Sequence, residues 1–352
     1  MSEWKGYKLG DIAIFKNGKS RPAEEGTFPI YGGNGILGYT NQFNSENEVV
    51  VIGRVGAYCG SVYFENKQIW ISDNALFGLP RNNNDTKFLF YFLKNLNLNH
   101  FAEGSSHPLL TQNLLNSIDV KITDDIQEQK SIASILSSLD DKIDLLHRQN
   151  KTLEALAETL FRQWFVEEAG GETGNLGDII ELIYGKALKE EIRSGSGFPV
   201  VGSSGIVGYH SEFLVDGPGI VIGRKGTLGK VIYLFENFFP IDTTYFTKSK
   251  INSEGLFYEY FLLKTLNFEK MNTDSAVPGL NREIALSTEI KIPPFKRVKE
   301  YNSYCANLFK KLKHNNTQIL TLTQIRDTLL PTLMSGEVKV KKSIQTNLHA
   351  TI

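Results

Sequence analysis

The sequence has few of the side chains from which metal and redox sites are built. Only two of its 352 residues are cysteines, Cys59 and Cys305, and six are histidines. It contains no CxxC pair or Cys/His cluster, and the histidines lack metal-ligand spacing, so a zinc site or any other metal site has no support. Two cysteines far apart in sequence are typical of a protein of the reducing cytoplasm.

Long apolar runs and catalytic motifs are also missing. No run approaches the roughly 18 apolar residues of a membrane-spanning helix, and Met1-Ser2-Glu3-Trp4-Lys5 lacks the apolar core of a signal peptide. The GxSxG, HExxH, P-loop and Rossmann patterns are absent. The one double proline, Pro293-Pro294-Phe295, follows Ile292 rather than the Asn or Asp of an adenine-methylase motif. We therefore expect a chain that performs no catalysis and has no cofactor of its own.

An excess of basic charge is missing as well. The 38 Lys and Arg residues are balanced by 39 Asp and Glu, which leaves a net charge of −1. This balance counts against simple charge-driven nucleic-acid binding. Binding to DNA would require basic residues focused on one face, or a partner that supplies much of the phosphate contact.

The dominant feature of the chain is an internal duplication with a period near half its length. Several segments recur in the same order at offsets of 167 to 170 residues. The pairs are Leu9-Gly10-Asp11-Ile12 with Leu176-Gly177-Asp178-Ile179, Phe28-Pro29-Ile30 with Phe198-Pro199-Val200, Gly35-Ile36-Leu37-Gly38-Tyr39 with Gly205-Ile206-Val207-Gly208-Tyr209, and Val51-Ile52-Gly53-Arg54 with Val221-Ile222-Gly223-Arg224.

Each copy begins with a β-rich part, residues 1–124 and 169–295. Short β-branched and aromatic runs alternate there with Gly, Asn and Ser turns. The runs ending at Ile52 and Ile222 predict buried strands, with hairpin partners at 61–64 and 230–233. The runs 87–93 and 256–262 predict short buried helices.

Each copy ends in a long helix, predicted over 125–168 and 296–340, with 341–352 as a disordered tail. Apolar residues in the first helix alternate at spacings of four and three, the heptad pattern of a coiled coil. Asn150 is a polar position in this seam, and Asn315 and Arg326 interrupt the second one. The fold class is therefore α+β: a pseudo-two-fold tandem repeat of two β-rich domains separated by an antiparallel pair of helices. Packing of the stripe inside one globular domain is the alternative.

Two sets of loop residues are candidates for DNA binding. Arg54, and Arg224 with Lys225, follow predicted strands in glycine-flanked turns, where an arginine can reach a guanine edge or a phosphate; a solvated turn is the alternative. The second set surrounds a proline shared by the copies, and its alternative is a helix-capping loop. It comprises Ser105, His107, Thr111 and Gln112 in the first copy and Asn281 and Arg282 in the second; Lys19 and Arg21 are weaker phosphate-contact candidates.

These segments together resemble the specificity (S) subunits of type I restriction–modification systems. The resemblance includes Trp4-Lys5-x-Tyr7-Lys8-Leu9-Gly10-Asp11-Ile12, Pro29-Ile30-Tyr31-Gly32-Gly33-Asn34-Gly35 and Ile52-Gly53-Arg54-x-Gly56. It continues in Gln127-x-x-x-x-Ile132-Ala133-x-Ile135-Leu136, Leu160-Phe161-Arg162-Gln163-Trp164-Phe165 and Leu329-Leu330-Pro331-x-Leu333-Met334-Ser335-Gly336-Glu337. The second helical region lacks the Gln-x-x-x-x-Ile-Ala start of the first.

The resemblance implies that each β-rich part is a target recognition domain reading half of a split, asymmetric site in double-stranded DNA. The helices would set the unread spacer and bind two modification subunits, which hold S-adenosylmethionine and methylate adenine N6; motor and nuclease subunits would then join for restriction. The helical positions expected at the partner-binding surface are Leu146, Asn150, Leu153, Leu160, Trp164, Ile319, Leu322 and Leu329.

Three other functions stay open on the sequence alone. The same architecture occurs in specificity subunits of type II enzymes with separate modification and cleavage chains. A coiled-coil adaptor with two peptide- or carbohydrate-binding domains would show no retention on DNA resins. A free-standing methyltransferase would bind its cofactor without a partner.

Overall fold

The structure, a computed structural model, describes residues 4–104, 107–168, 170–251, 253–271 and 279–340. It divides into two compact units. Unit 1 comprises the chain up to Leu145 together with the segment from Ile319 onward, and unit 2 comprises Leu146–Gln318. Ser105 and the predicted tail 341–352 lie outside the described residues.

The first repeat consists of short strands and helices followed by one long helix. In chain order they are β1 (Trp4–Lys8), α1 (Leu9–Ile12), β2 (Ala13–Asn17), β3 (Phe28–Gly32), β4 (Gly35–Thr40), β5 (Val49–Gly53), β6 (Val62–Glu65), β7 (Trp70–Ile71), β8 (Ala75–Pro80), α2 (Thr86–Asn95), α3 (Gln112–Ser117), β9 (Asp119–Thr123) and α4 (Ile126–Arg162).

The second repeat has the same order of elements. They are β10 (Glu172–Asn175), α5 (Leu176–Ile179), β11 (Ile180–Tyr184), β12 (Phe198–Gly202), β13 (Gly205–His210), β14 (Gly219–Gly223), β15 (Val231–Leu234), β16 (Phe239–Pro240), β17 (Thr244–Ser249), α6 (Phe257–Thr265), α7 (Arg282–Leu286), β18 (Glu289–Ile292) and α8 (Phe295–Met334).

The sheets confirm the duplication. In the first repeat the strand orders are β2-β8-β5-β6, β4-β3-β7 and β1-β9, and in the second they are β11-β17-β14-β15, β13-β12-β16 and β10-β18. Each order of the first repeat thus recurs with every strand replaced by its counterpart. The predicted buried strands are β5 and β14, every residue of which is buried. Their predicted hairpin partners are β6 and β15.

The repeated Leu-Gly-Asp-Ile segment forms the same capped turn in both copies. The carboxylate of Asp11 accepts a hydrogen bond from the Lys8 backbone N–H at 3.0 Å, and that of Asp178 accepts one from the Asn175 N–H at 2.7 Å. An acidic residue at this position satisfies a donor at the start of the turn that would otherwise be unpaired. The flanking Leu and Ile side chains are buried in the core of each unit.

The long helices begin and end where local chemistry requires. Asp125 accepts hydrogen bonds from the backbone N–H groups of Gln127 and Glu128 at 3.0 and 3.3 Å, and so caps α4. Helix α4 ends at Arg162 and continues as a π-helical turn over Gln163–Glu167, whereas the sequence predicts helix to 168. Helix α8 ends at Met334 rather than near 340, because Gly336 adopts a left-handed conformation (φ 75°) that stops it.

In unit 1 the beginning of α4 packs against the end of α8. Ile132 and Leu136 are buried in the same core cluster as Leu333. Asp140 accepts a hydrogen bond from Arg326 at 2.7 Å. Residues later in α4 contact residues earlier in α8, so the two segments are antiparallel. Arg326, which breaks the apolar seam, is therefore matched by a carboxylate on the facing helix.

In unit 2 the rest of α4 packs against the beginning of α8, again antiparallel. The Asn315 amide donates to the Asn150 side-chain oxygen at 2.9 Å, and Asn150 donates to Asn316 at 2.7 Å. Further along, the Tyr301 hydroxyl donates to the Ala157 carbonyl at 3.0 Å. The polar residues that interrupt the two heptad patterns thus pair with each other, an arrangement that fixes helix register. The predicted antiparallel pairing is confirmed within each unit.

Candidate nucleic-acid interface

In both repeats the two predicted loop sets come together at one place. We define the Arg turn as Gly53–Gly56 in the first repeat and Gly223–Gly226 in the second; each follows the central strand, β5 or β14. The carbonyl of Arg54 accepts from the Leu110 N–H at 2.9 Å, and that of Arg224 accepts from the Leu280 N–H at 3.0 Å. The segment before α3 or α7 is therefore bonded directly to the Arg turn of its own unit.

The Arg turn is also fixed on its other side. The N–H of Arg54 donates to the Asn74 carbonyl at 3.0 Å, and the N–H of Arg224 donates to the Thr243 carbonyl at 2.9 Å. The exposed Lys225 donates to the same Thr243 carbonyl through its backbone N–H, at 3.1 Å. With both the N–H and the C=O bonded, the arginine backbone has a fixed place in each repeat.

In the second repeat the arginine side chain lies in a cluster of aromatic and basic groups. The guanidinium carbon of Arg224 is 4.9 Å from the centre of the Tyr184 ring and 5.8 Å from that of Tyr245. The guanidinium of Arg282 lies over the same Tyr184 ring at 5.4 Å. Arg224 also donates through Nη1 to the Asp242 carbonyl at 3.1 Å. Stacking and hydrogen bonding together pre-organise this guanidinium.

The tyrosines of this cluster differ in exposure. Tyr245 is buried, and its hydroxyl donates to the Leu280 carbonyl at 3.0 Å. Burial raises the pKa of Tyr245 to about 12, so the ring stays neutral. Tyr184 is exposed and accessible to a ligand. Arg282 donates through Nε and Nη2 to Glu283 at 3.1 and 3.0 Å, which offsets part of its charge.

The first repeat places its arginine in different surroundings. The strand pairing that sets Tyr184 opposite Tyr245 sets Asn17 opposite Leu76, so neither aromatic ring is present. Gln112 begins α3 where Arg282 begins α7. The Nε of Arg54 is buried, and it has no hydrogen-bond partner among the described residues. The same arginine position is therefore surrounded by different side chains in the two copies.

Two of the predicted DNA-binding residues act as helix caps. The Thr111 hydroxyl oxygen accepts from the Leu114 N–H at 3.2 Å. The Asn281 side-chain oxygen accepts from the N–H groups of Glu283 and Ile284 at 2.9 and 3.2 Å. Both side-chain oxygens therefore cap a helix, which was the alternative to DNA binding that the sequence left open.

Of the remaining candidates of the first repeat, His107 and Lys19 lie in segments connected to the Arg turn, whereas Arg21 lies against β4. His107 is exposed, and the carbonyl of the adjacent Pro108 accepts from the Gly56 N–H at 3.1 Å. Lys19 is exposed and forms a parallel bridge with Ser72, two residues before the Asn74 that holds Arg54. The Arg21 guanidinium lies against Gly38, where a Cβ would fall 2.6 Å from Nη2.

Sequence reasoning missed three residues of the second repeat. Tyr184 and Tyr245 form the stack on Arg224, and a tyrosine in a strand is too common to attract notice. Arg193 lies against Gly208 as Arg21 lies against Gly38, and donates to the Val207 and Leu188 carbonyls at 2.9 and 3.2 Å. The matching glycines were a usable signal for Arg193.

The helical positions predicted to bind partners belong mainly to the internal seam. Leu146 is buried, and Asn150 is bonded across to α8. The other six positions are partly buried. Leu153, Leu160 and Trp164 pack against the core of unit 2, and Leu329 packs against the core of unit 1. Ile319 and Leu322 lie on the same face of α8 as Leu329. The exposed large apolar side chains of the two helices are instead Leu145, Leu156, Phe295, Tyr304, Leu320 and Ile325.

Within the described residues, no three His, Cys, Asp or Glu side chains are grouped as a metal site requires. No helix in that part of the chain has the length and apolar character needed to cross a membrane.

Comparison with known proteins identifies the family. The model of the type I restriction modification DNA specificity domain matches residues 1–155 and again 169–324, once per repeat. The type I restriction enzyme MjaIX specificity subunit of Methanocaldococcus jannaschii is 25% identical over 312 residues, covering 75% of this chain and 72% of the relative. A protein of Mycoplasma genitalium named as a type I specificity subunit is 28% identical, covering 97% of this chain and 96% of its own.

The fold agrees with this assignment. The crystal structure of a type I restriction–modification S subunit from M. genitalium superposes with a TM-score of 0.68 at 22% identity, covering 94% of this chain and 96% of that one. The chain therefore belongs to the type I restriction–modification DNA specificity subunits, whose role is to recognise DNA and not to catalyse a reaction.

Proposed function

We propose that each repeat reads one half of a bipartite, asymmetric DNA site, with the Arg turn as the centre of its reading surface. The main support is that the same arginine position is surrounded by different side chains in the two repeats. Arg224 stacks on Tyr184 and Tyr245, whereas Asn17 and Leu76 occupy the matching positions near Arg54. A shared scaffold with different side chains suits two readers of different sequence.

The chemistry of arginine supports this role. Its planar guanidinium can donate two hydrogen bonds to O6 and N7 of a guanine in the major groove, which is worth about 1–3 kcal/mol of discrimination. Stacking on Tyr184 holds the Arg224 guanidinium before DNA arrives, so less conformational freedom is lost on binding. The guanidinium of Arg282 also lies over the Tyr184 ring, and it is suited to contact a phosphate or a second base.

The balanced charge of the chain implies that partners share the DNA. With a net charge of −1, the chain has no overall basic excess for phosphate contacts. We infer that two adenine-N6 methyltransferase subunits bind it and close around the DNA, and that S-adenosylmethionine is held by those subunits. Restriction subunits would join the same complex. The exposed apolar residues of the long helices, such as Leu320 and Ile325, are suited to partner contact.

The long helices would also set the spacer between the half-sites. Helix α4 continues without a break from Ile126 to Arg162, so it connects the two repeats along the chain with regular structure. A helix of 37 residues is roughly 55 Å long at about 1.5 Å per residue. We infer that this length limits which half-site separations one chain can read.

Matched arginine variants test the two-reader proposal. The complex is expressed in a host free of adenine methylation, and N6-methyladenine is mapped with wild-type chain, Arg54→Ala or Arg224→Ala. Each variant should relax or weaken one half of the motif and leave the other half and the spacer intact. Lys248→Ala, an exposed basic residue elsewhere on β17, is the control and should leave both halves unchanged. Equal loss at both halves with either arginine variant would contradict the proposal.

A further inference from the structure

Both repeats expose the same set of apolar side chains on an edge of a three-stranded sheet. Strand β4 is the edge of its sheet in the first repeat, and β13 is the edge in the second. Each strand, with the residues just after it, carries four large apolar side chains that are 37–53% exposed. We define these as the hairpin patch: Ile36, Leu37, Tyr39 and Phe43 in the first repeat, and Ile206, Val207, Tyr209 and Phe213 in the second.

The patch is ordered by contacts beneath it. The Phe43 ring packs edge-on against Phe28 at 5.4 Å, and Phe213 packs in the same way against Phe198 at 4.8 Å. Exposed apolar side chains scattered singly are ordinary, but a contiguous group on an edge strand marks an interaction surface or an aggregation hazard. Its presence in both copies makes a chance occurrence a poor explanation.

A partner would contact the side chains of the hairpin patch, because backbone groups at the edge of the strand are partly occupied by hydrogen bonds within the chain. In the second repeat the carbonyls of Val207 and Tyr209 already accept hydrogen bonds from Arg193 at 2.9 Å and from the Gly195 N–H at 3.1 Å. Addition of a further strand is therefore partly blocked there. The surface fits a partner that packs side chains against it.

The hairpin patch begins beside the Arg turn of its own unit. In the first repeat the Tyr63 hydroxyl donates to the Gly33 carbonyl at 3.3 Å, and Ser61 donates to the same carbonyl, so the β3–β4 turn is bonded to the strand that leaves the Arg turn. In the second repeat Lys230 donates to the Ser204 carbonyl at 2.6 Å. Whatever covers the patch is thus held next to the reading surface.

Comparison of the repeats indicates what the patch binds. The side chains around the Arg turns differ, as expected of readers of different sequence. The patch positions are Ile and Ile, Leu and Val, Tyr and Tyr, and Phe and Phe, so they present nearly the same surface twice. The part of DNA common to both half-sites is the phosphate backbone, which requires hydrogen-bond donors and positive charge. An apolar surface present twice instead fits a protein partner bound in two copies.

We propose that the hairpin patch is a docking surface for the methyltransferase subunit, one copy on each repeat. This inference rests on the proposed function. A methyltransferase that modifies an adenine in a half-site must lie beside the loop that reads that half-site, and the patch adjoins that loop. Aromatic side chains such as Tyr39 and Tyr209 are enriched at the centres of protein interfaces, where a few residues contribute most of the affinity.

Paired variants in each repeat test the proposal. Ile36→Thr with Tyr39→Thr alters the first patch, and Ile206→Thr with Tyr209→Thr alters the second. Threonine suits a strand and adds no charge that would repel DNA. Val338→Thr, an exposed aliphatic residue outside the hairpins, is the control. Circular dichroism checks that each variant folds like the wild type.

The readout is the number of methyltransferase subunits bound per chain, measured by native mass spectrometry and titration. Wild-type chain should bind two, and each double variant should bind one copy normally and the other roughly 10- to 100-fold more weakly. Methylation should then fail mainly at the half-site of the altered repeat.

The possible failures are distinguishable. If wild-type chain binds no methyltransferase, the proposed function itself is wrong. If wild type binds two copies and both double variants bind two with unchanged affinity, only the docking inference is overturned. If the variants keep both copies but lose affinity for DNA, the hairpin contacts DNA and the docking inference is again overturned.

Discussion

Replacing Tyr184 by alanine should weaken recognition of the half-site read by the second repeat and leave the other half-site unchanged. The Tyr184 ring lies 4.9 Å from the guanidinium of Arg224 and 5.4 Å from that of Arg282. A cation–π contact at an exposed site is worth about 0.5–1 kcal/mol. Loss of the contact with Arg224 removes about 0.5–1 kcal/mol of pre-organisation, which corresponds to roughly 2- to 5-fold in affinity, and loss of the contact with the exposed Arg282 acts in the same direction.

The assay is equilibrium binding of the assembled complex to DNA in which one half-site is intact and the other is scrambled. Tyr184→Phe keeps the ring and should bind about as tightly as the wild type. Asn17→Ala, at the matching position of the first repeat, tests whether any side-chain loss there has the same effect. Tyr184 does not have this role if Tyr184→Ala weakens binding to both half-sites equally, or if Tyr184→Phe weakens binding as much as Tyr184→Ala.

Further predictions concern the helices and the two cores. Seven residues inserted after Leu145 in α4, together with seven after Gln318 in α8, add about 10.5 Å of helix. The preferred spacer, measured by methylation mapping, should then lengthen by about 3 base pairs. An unchanged spacer would show that the helices do not set the distance between the half-sites. Asp140→Ala removes the carboxylate that accepts hydrogen bonds from Tyr91 and Arg326, each at 2.7 Å, and should lower the free energy of unfolding, measured by thermal unfolding, by about 1–3 kcal/mol. Lys5→Ala, which breaks an exposed ion pair, should cost under about 1 kcal/mol in the same thermal unfolding assay. Burial raises the pKa of Glu259, so the folded state binds a proton more readily than the unfolded state, and stability falls as pH rises through that pKa. Glu259→Gln should therefore gain stability relative to wild type with rising pH, and a difference independent of pH would contradict this.

The architecture was predictable because it depends on patterns that recur within the chain. The second Leu-Gly-Asp-Ile segment identifies the duplication, and its aspartate caps the same short turn in both copies. Heptad spacing predicts that Leu136 and Leu146 are buried in a helix pair, and both are. These features depend on local chemistry and side-chain period, which a sequence displays directly.

The partner-facing side of the helices was harder to predict. A heptad pattern shows which face is apolar but not what covers it. The seam positions are covered largely within the chain, so a partner would meet residues such as Leu156 and Tyr304 that the pattern does not mark. A polar residue such as Asn150 in the seam indicates fixed register, but the sequence does not identify its partner, which in the structure is Asn315.

The candidate DNA surface was predictable only in part. The glycine-flanked Arg54 and Arg224 were identifiable because both copies share them. The stack on Arg224 depends on the register that places Tyr184 opposite Tyr245, which no short motif reports. The capping role of Asn281 became clear once α7 was seen to begin at Arg282.

We expect this chain to supply the sequence specificity of a methyltransferase complex. The decisive experiment is to co-purify the chain with the adenine methyltransferase encoded beside it and then to map N6-methyladenine across a methylation-free genome. We predict a stable complex and a split motif with a fixed spacer, lost when this chain is omitted. Absence of a stable complex, or methylation that persists without this chain, would show that the chain does not supply this specificity.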